Sequence, residues 1–304
     1  MPSGAQRSRS ISTASLNRLD YLRRTDASTP LGSARRPESF LIAEIYGVKL
    51  PIAFALTLLF TSCATSSRTA APITQIAPTV SVKMVTERWT LFDSARQRAI
   101  PVVLYRPAPN NSKLRLKPAI LSHGYGGRNT DYSFIAQTLV AHGYLVASIQ
   151  HELRTDAPMP TVGDVRTTRQ PFWERDVQNI LFVRQALGRQ YPGIELNELL
   201  LVGHSKGGDT AMLFAEEHPA LVAQVISLDN CRMPFPRAAR PRVLSLRSSD
   251  QVADPGVLPT SAEQAQFGTT IVPLKHTIHN DMSDRATRAQ RQEMSSAIAR
   301  FLEE

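Results

Sequence analysis

The stretch "LLLVGHSKGGDTAM", residues 199–212, passes from four consecutive apolar residues through a turn holding Gly203, Gly207 and Gly208 into a segment of helical spacing. A short apolar run that enters a glycine turn and leaves as a helix is a buried strand followed by its covering helix. The same unit recurs on both sides. "KPAILSHGYGG" is a strand entering a glycine turn, "DYSFIAQTLVAHG" a helix ending at Gly143, and "YLVASIQHE" another buried strand. After a polar stretch from Leu153 to about Gln170, "FWERDVQNILFVRQALGRQ" reads as a long amphipathic helix. Downstream, "VAQVISLDN", "RPRVLSLRSSD" and "GTTIVPLKHTIHND" read as strands and "RATRAQRQEMSSAIARFLEE" as a terminal helix. Strands alternating with helices predict an α/β fold, a mostly parallel central sheet with helices on both faces. Ahead of it, "VSVKMVTERWTLFD" and "RAIPVVLYRP" predict an N-terminal antiparallel hairpin. One domain over residues 81–304 accounts for the pattern.

The front of the 304-residue chain differs in character. Residues 1–47 are rich in Ser and Arg without an apolar period, and are expected to be a disordered or untranslated extension. Residues 48–63, "VKLPIAFALTLLFTSC", place Lys49 before an apolar run that is too short to span a bilayer but suits a signal peptide. The end, "LLFTSC", resembles a bacterial lipobox, which makes Cys63 a lipidation candidate and a membrane tether, although Phe60 stands where Leu is usual. A signal this far into a chain suggests that translation begins at Val48. Residues 64–80 then form a linker, and the protein is expected to be exported, as a periplasmic or membrane-anchored lipoprotein of a bacterium.

The net charge of +9 owes much to this segment: eight of the 35 Lys/Arg and four of the 26 Asp/Glu fall within residues 1–63. The remainder carries about +5 with no long basic run, which gives no reason to expect a nucleic-acid partner. Of the two cysteines, Cys63 and Cys231, a lipidated Cys63 leaves Cys231 alone.

Within the opening stretch, Gly203-x-Ser205-x-Gly207 is weak as a bare motif, since chance produces it in about one chain in ten of this length. Its context is more specific. A strand–turn–helix unit holds a nucleophilic serine at the carboxyl edge of a sheet, and small neighbours are what so sharp a turn requires. Acyl transfer also needs donors for an oxyanion. The glycine turn "SHGYGG", residues 122–127, supplies the Tyr125 N–H, and the residue after the nucleophile supplies that of Lys206. The base is expected after the last strand, where "LKHTIHNDMSD" offers His279, with His276 as runner-up. His123, His151 and His204 read as structural. A metal would need more ligands than His276, His279 and Asp281 provide, so no metal and no cofactor are expected. For the acid, Asp229 and Asp250 both follow strands on the same edge, and the residues leave the two open. Arg154, Arg166 and Arg169 lie in the polar stretch expected to overhang the site as a substrate loop, and the charged Lys206 side chain is expected to mark where the substrate differs.

The segment "AILSHGYGGRNTDYSFIAQTLVAHGYLVASIQHE", followed by "GHSKGG", "ISLDNCRMPFP" and "IHNDMSD", resembles the platelet-activating-factor acetylhydrolase and dienelactone-hydrolase-like branch of the α/β-hydrolases, over roughly residues 117–284. The resemblance implies the α/β-hydrolase fold. It also implies that the triad acid is the Asp of "LD", which is Asp229, with Asp250 as the alternative acid. Lys206 departs from the apolar residue familiar at its position, and most of the branch's apolar lipid-surface segments are missing. The expected function is a serine carboxylic-ester hydrolase using Ser205, His279 and Asp229 on short-acyl or lipid-like esters. The rival readings are a non-catalytic exported binding protein on the same scaffold, and an acyltransferase or peptidase using the same triad.

Overall fold

The computed structural model describes residues 82–108 and 116–304. The extension, the signal and lipobox segment with Cys63, and the linker expected from the sequence all lie outside the described residues.

An eight-stranded sheet forms the centre. Strands β1 (Met84–Asp93) and β2 (Arg98–Pro107) make the expected antiparallel hairpin, and β2 also runs antiparallel to β4 (Tyr144–Ile149). The other pairings are parallel and bring in β3 (Lys117–Ser122), β5 (Leu199–His204), β6 (Val222–Leu228), β7 (Arg242–Arg247) and β8 (Thr269–Pro273). The order across the sheet is β1-β2-β4-β3-β5-β6-β7-β8. From β3 the chain crosses to β4 on one side, whereas from β5 onward it proceeds to the other. The carboxyl ends of β3 and β5 therefore flank the crevice where open α/β sheets bind ligands.

The central strands are largely apolar on both faces because each face has its own cover. On β2, Ile100, Val102 and Leu104 face one core while Val103 and Tyr105 face the other. On β5, Leu199 and Leu201 alternate in the same way with Leu200 and Val202. One face is covered by α2 (Val165–Gln190), through Trp173, Val177, Ile180, Val183 and Leu187, and by α3 (Lys206–Glu217), through Met212 and Phe214. The other is covered by α1 (Ser133–Ala141), through Ile135 and Leu139, and by α5 (Arg288–Glu303), through Met294, Ile298 and Phe301.

Three boundaries differ from the sequence reading. Helix α2 starts at Val165, seven residues before the expected Phe172, because the Asp164 carboxylate caps it by accepting the Thr167 N–H at 2.8 Å. Pro171 sits inside that helix, so a residue that reads as a breaker costs one hydrogen bond without ending it. Helix α4 (Ser261–Phe267) went unread because its seven residues hold little periodicity; its signals are the Thr260/Glu263 capping box and a left-handed Gly268. Strand β8 stops at Pro273, well before the end of the run that reads as a closing strand.

Candidate active site

The turn after β5 is built around steric necessity. Ser205 has φ 53° and ψ −119°, a left-handed backbone that only an enforced turn imposes on a serine. A Cβ on Gly203 would stand 2.1 Å from the Gly207 carbonyl oxygen, and one on Gly207 would stand 2.3 Å from that of Ser122. The first contact closes the turn on itself, and the second lets it press against the end of β3. Gly207→Ala is therefore expected to destabilise the fold by about 2–3 kcal/mol, measured as a lower urea midpoint. The Ser205 N–H donates to the Leu228 carbonyl at 2.8 Å, and its carbonyl accepts the Asp209 N–H at 2.9 Å. These bonds lock the turn to β6 and to the first turn of α3.

Chain segments far apart in sequence converge on this serine. Ser205 Oγ lies 2.9 Å from His279 Nε2, and His279 Nδ1 lies 2.6 Å from Asp229 Oδ2. His279 opens a short 3-10 turn (His279–Asp281) beyond β8, so the early end of that strand is what frees its ring to turn inward. Asp229 follows β6 with φ 61° and is fully buried. Its Oδ2 also accepts the Ser248 hydroxyl at 2.6 Å, while Oδ1 accepts the Ser248 N–H at 3.2 Å and faces the Arg247 guanidinium at 2.9 Å. Burial alone would push the Asp229 carboxyl up, but the bonds from His279 and Ser248 and the Arg247 charge outweigh it and hold the group below the ordinary carboxylate range.

Asp250 has a different position. Exposed at the surface, it accepts the backbone N–H of His279 at 2.7 Å and so fixes where that residue sits, not which way its ring points. His276 is exposed, and its carbonyl accepts from Gln290 at 2.7 Å. Asp284, five residues after His279, is turned to the start of α1, where its carboxylate accepts the Ser133 and Phe134 N–H groups.

The "SHGYGG" turn packs directly on the Ser205 turn: a Cβ on Gly124 would be 3.4 Å from Ser205 Cβ. Among the described residues neither the Tyr125 nor the Lys206 N–H has an acceptor; the second is one of the free donors of a helix start. The Tyr125 side chain is half exposed, and its hydroxyl accepts the Met159 N–H at 3.0 Å, which holds the segment before α2 against this turn.

Two expectations about side chains are corrected. Lys206 does not mark the substrate side. Its side chain is 3% exposed and turns inward, where Glu152 and Asp176 take its ammonium, because a buried cation needs paired anions. Arg166 and Arg169 are not loop residues; the Asp164 cap places them in the first turns of α2, where Arg169 donates to the Pro160 carbonyl at 2.9 Å. Arg154 does lie in the segment between β4 and α2, exposed.

Some residues at the site gave no motif to read. His204 packs tilted against the His279 ring, with centroids 4.8 Å apart, and burial pulls its pKa down to about 3, so it is neutral. Its Nε2 faces the His279 carbonyl at 3.0 Å, which can only accept, so the proton is on Nε2 and Nδ1 accepts the Tyr132 hydroxyl at 2.8 Å. The Tyr132 oxygen in turn accepts the Gly124 N–H at 3.1 Å. A hydrogen-bonded line thus joins the glycine turn to the backbone of His279. Asp209 was also missed. Its buried carboxyl, pushed up to about 6 by burial, accepts the N–H groups of Cys231, Arg232 and Met233 and pins the loop that follows Asp229. Among the described residues no group of three or more His, Cys, Asp or Glu is placed to hold a metal ion.

No protein-family model matches the chain. Solved structures similar to it include a ferulic acid esterase from Streptomyces cinnamoneus, at 15% identity and a TM-score of 0.54, covering 77% of this chain and 90% of that one. A dienelactone hydrolase-like promiscuous phosphotriesterase from metagenomic libraries matches at 14% identity and a TM-score of 0.54, covering 72% and 98%. An esterase from the fungus Rhizomucor miehei matches at 13% identity and a TM-score of 0.53, covering 73% and 84%. Together with the strand order and the antiparallel β1–β2 hairpin, these likenesses show that the chain has the α/β-hydrolase fold.

Proposed function

We propose that the protein is a serine carboxylic-ester hydrolase. The observation that carries this reading is the continuous line from Ser205 Oγ through His279 to the buried Asp229, at 2.9 and 2.6 Å, beside two backbone N–H groups without acceptors among the described residues. His279 takes the Ser205 proton as the hydroxyl oxygen attacks the ester carbonyl. Asp229 holds the imidazole with its proton on Nδ1 and stabilises the imidazolium that forms. The Tyr125 and Lys206 N–H groups receive the oxyanion, and His279 then protonates the departing alcohol. Water repeats the sequence on the acyl-enzyme and restores Ser205. The chemistry calls for no cofactor. The substrates are small-molecule, short-acyl or lipid-like esters; the fold's esterase neighbours support ester substrates as such. Residues 48–63 further support a proposal of export with a lipid tether at Cys63, which intact mass of the mature protein tests.

The test of activity is a fluorophosphonate label with peptide mapping, run beside p-nitrophenyl esters of increasing acyl length. Labelling confined to Ser205, with turnover falling as the acyl chain grows, is the expected result. An unlabelled Ser205 in folded protein would remove the hydrolase reading and leave a binding protein on a hydrolase scaffold.

A further inference from the structure

Lys206 is a link in a line of alternating charges. Arg98, at the start of β2, grips Asp156 through both guanidinium nitrogens at 2.8 and 2.7 Å. Arg175 on α2 lies 3.4 Å from Asp156 and 3.4 Å from Asp176. Asp176, with no exposed side chain, meets the Lys206 ammonium, which also meets Glu152 beyond the end of β4. Glu152 completes the line with its other oxygen, which accepts the Gly126 N–H at 3.4 Å. One carboxylate therefore touches both segments that supply a free N–H: the glycine turn next to Tyr125, and the side chain of the residue that follows the nucleophile.

Stability does not account for this arrangement. Buried ion pairs are often matched or bettered by apolar residues of equal volume, and partly exposed pairs contribute little, so a line buried only at Asp176 and Lys206 adds little that packing could not. What it adds is a defined distance. Backbone donors at two separate turns stabilise an oxyanion only when both lie within hydrogen-bond range of the same point, and catalysis falls steeply when they drift. Resting on the ester-hydrolase reading, we propose that Glu152 and the Lys206 ammonium are positioning residues, a strut that sets the spacing between the Tyr125 and Lys206 N–H groups. Neither side chain touches substrate.

The line carries three cations and three anions, and that balance designs the test. Glu152→Gln or Lys206→Met alone leaves a buried charge unmatched and risks the fold. The double variant E152Q/K206M removes one of each and keeps the backbone N–H of residue 206. In the full chain it is expected to melt within a few degrees of wild type, with kcat on a p-nitrophenyl ester lower by about 10- to 100-fold and KM within about twofold. Phenylboronic acid, which binds serine as a tetrahedral anion, should weaken by the same factor as kcat. Hydrogen exchange at residues 124–127 should speed up. A stable double variant with wild-type kcat, boronate affinity and exchange would overturn the strut. A wild-type protein that neither turns over esters nor labels at Ser205 would overturn the hydrolase reading instead, and the exchange measurement would still judge the strut.

Discussion

Ser205→Ala is expected to lower kcat for ester hydrolysis by about a millionfold, and the double variant S205A/H279A by no more than that. The reason lies in the 2.9 Å contact between Ser205 Oγ and His279 Nε2. Attack and proton removal are one event, so once the hydroxyl is gone the imidazole has nothing to deprotonate, and losing both costs little beyond losing either. A residual rate of about a thousandfold over water should survive, because the two backbone donors and the binding surface remain. Single-turnover assays on wild type and the three variants measure this directly. Additive losses would mean that the serine and the histidine act separately and that the relay is not the catalytic unit.

Asp229→Asn is expected to lower kcat by about ten-thousandfold, whereas Asp250→Asn should cost tenfold or less. Both acids contact His279, but through different atoms. Asp229 Oδ2 receives Nδ1 of the ring, so an amide there can present N–H to nitrogen and favour the wrong tautomer. The Ser248 N–H holds the amide oxygen at the Oδ1 position, and the Ser248 hydroxyl can turn to accept from the amide nitrogen, so the N–H stays aimed at the ring. Asp250 receives only the backbone N–H of His279, and an asparagine oxygen can still accept it. Steady-state rates for the two variants across pH 6–9 settle the assignment. The opposite ranking would hand the acid's role to Asp250.

The layered sheet was legible because it rests on local signals: apolar runs of strand length, glycine turns and helical spacing, repeated in order. The places of Ser205 and His279 were legible for a related reason, since chain order on such a sheet dictates which strand ends share an edge; that order left Asp229 and Asp250 open, and only the family resemblance favoured Asp229. What was not legible depends on distance in the chain or on competing signals. Pro171 concealed the first turns of α2, because the Asp164 cap that overrides it resembles ordinary loop sequence. His204 and Tyr132 meet across 72 positions, and no periodicity encodes that contact. Lys206 misled for a physical reason. A charged residue beside a nucleophile reads as facing solvent or substrate, and its burial follows only from two anions on separate elements, Glu152 after β4 and Asp176 on α2.

The left-handed backbone at Ser205 sets stability and chemistry against each other at a single position. Holding a serine at φ 53° costs about 1–3 kcal/mol that a glycine would recover without disturbing its neighbours. An engineering campaign scored only on melting temperature would therefore favour Ser205→Gly, and the sturdier molecule would lack the hydroxyl on which the proposed chemistry depends.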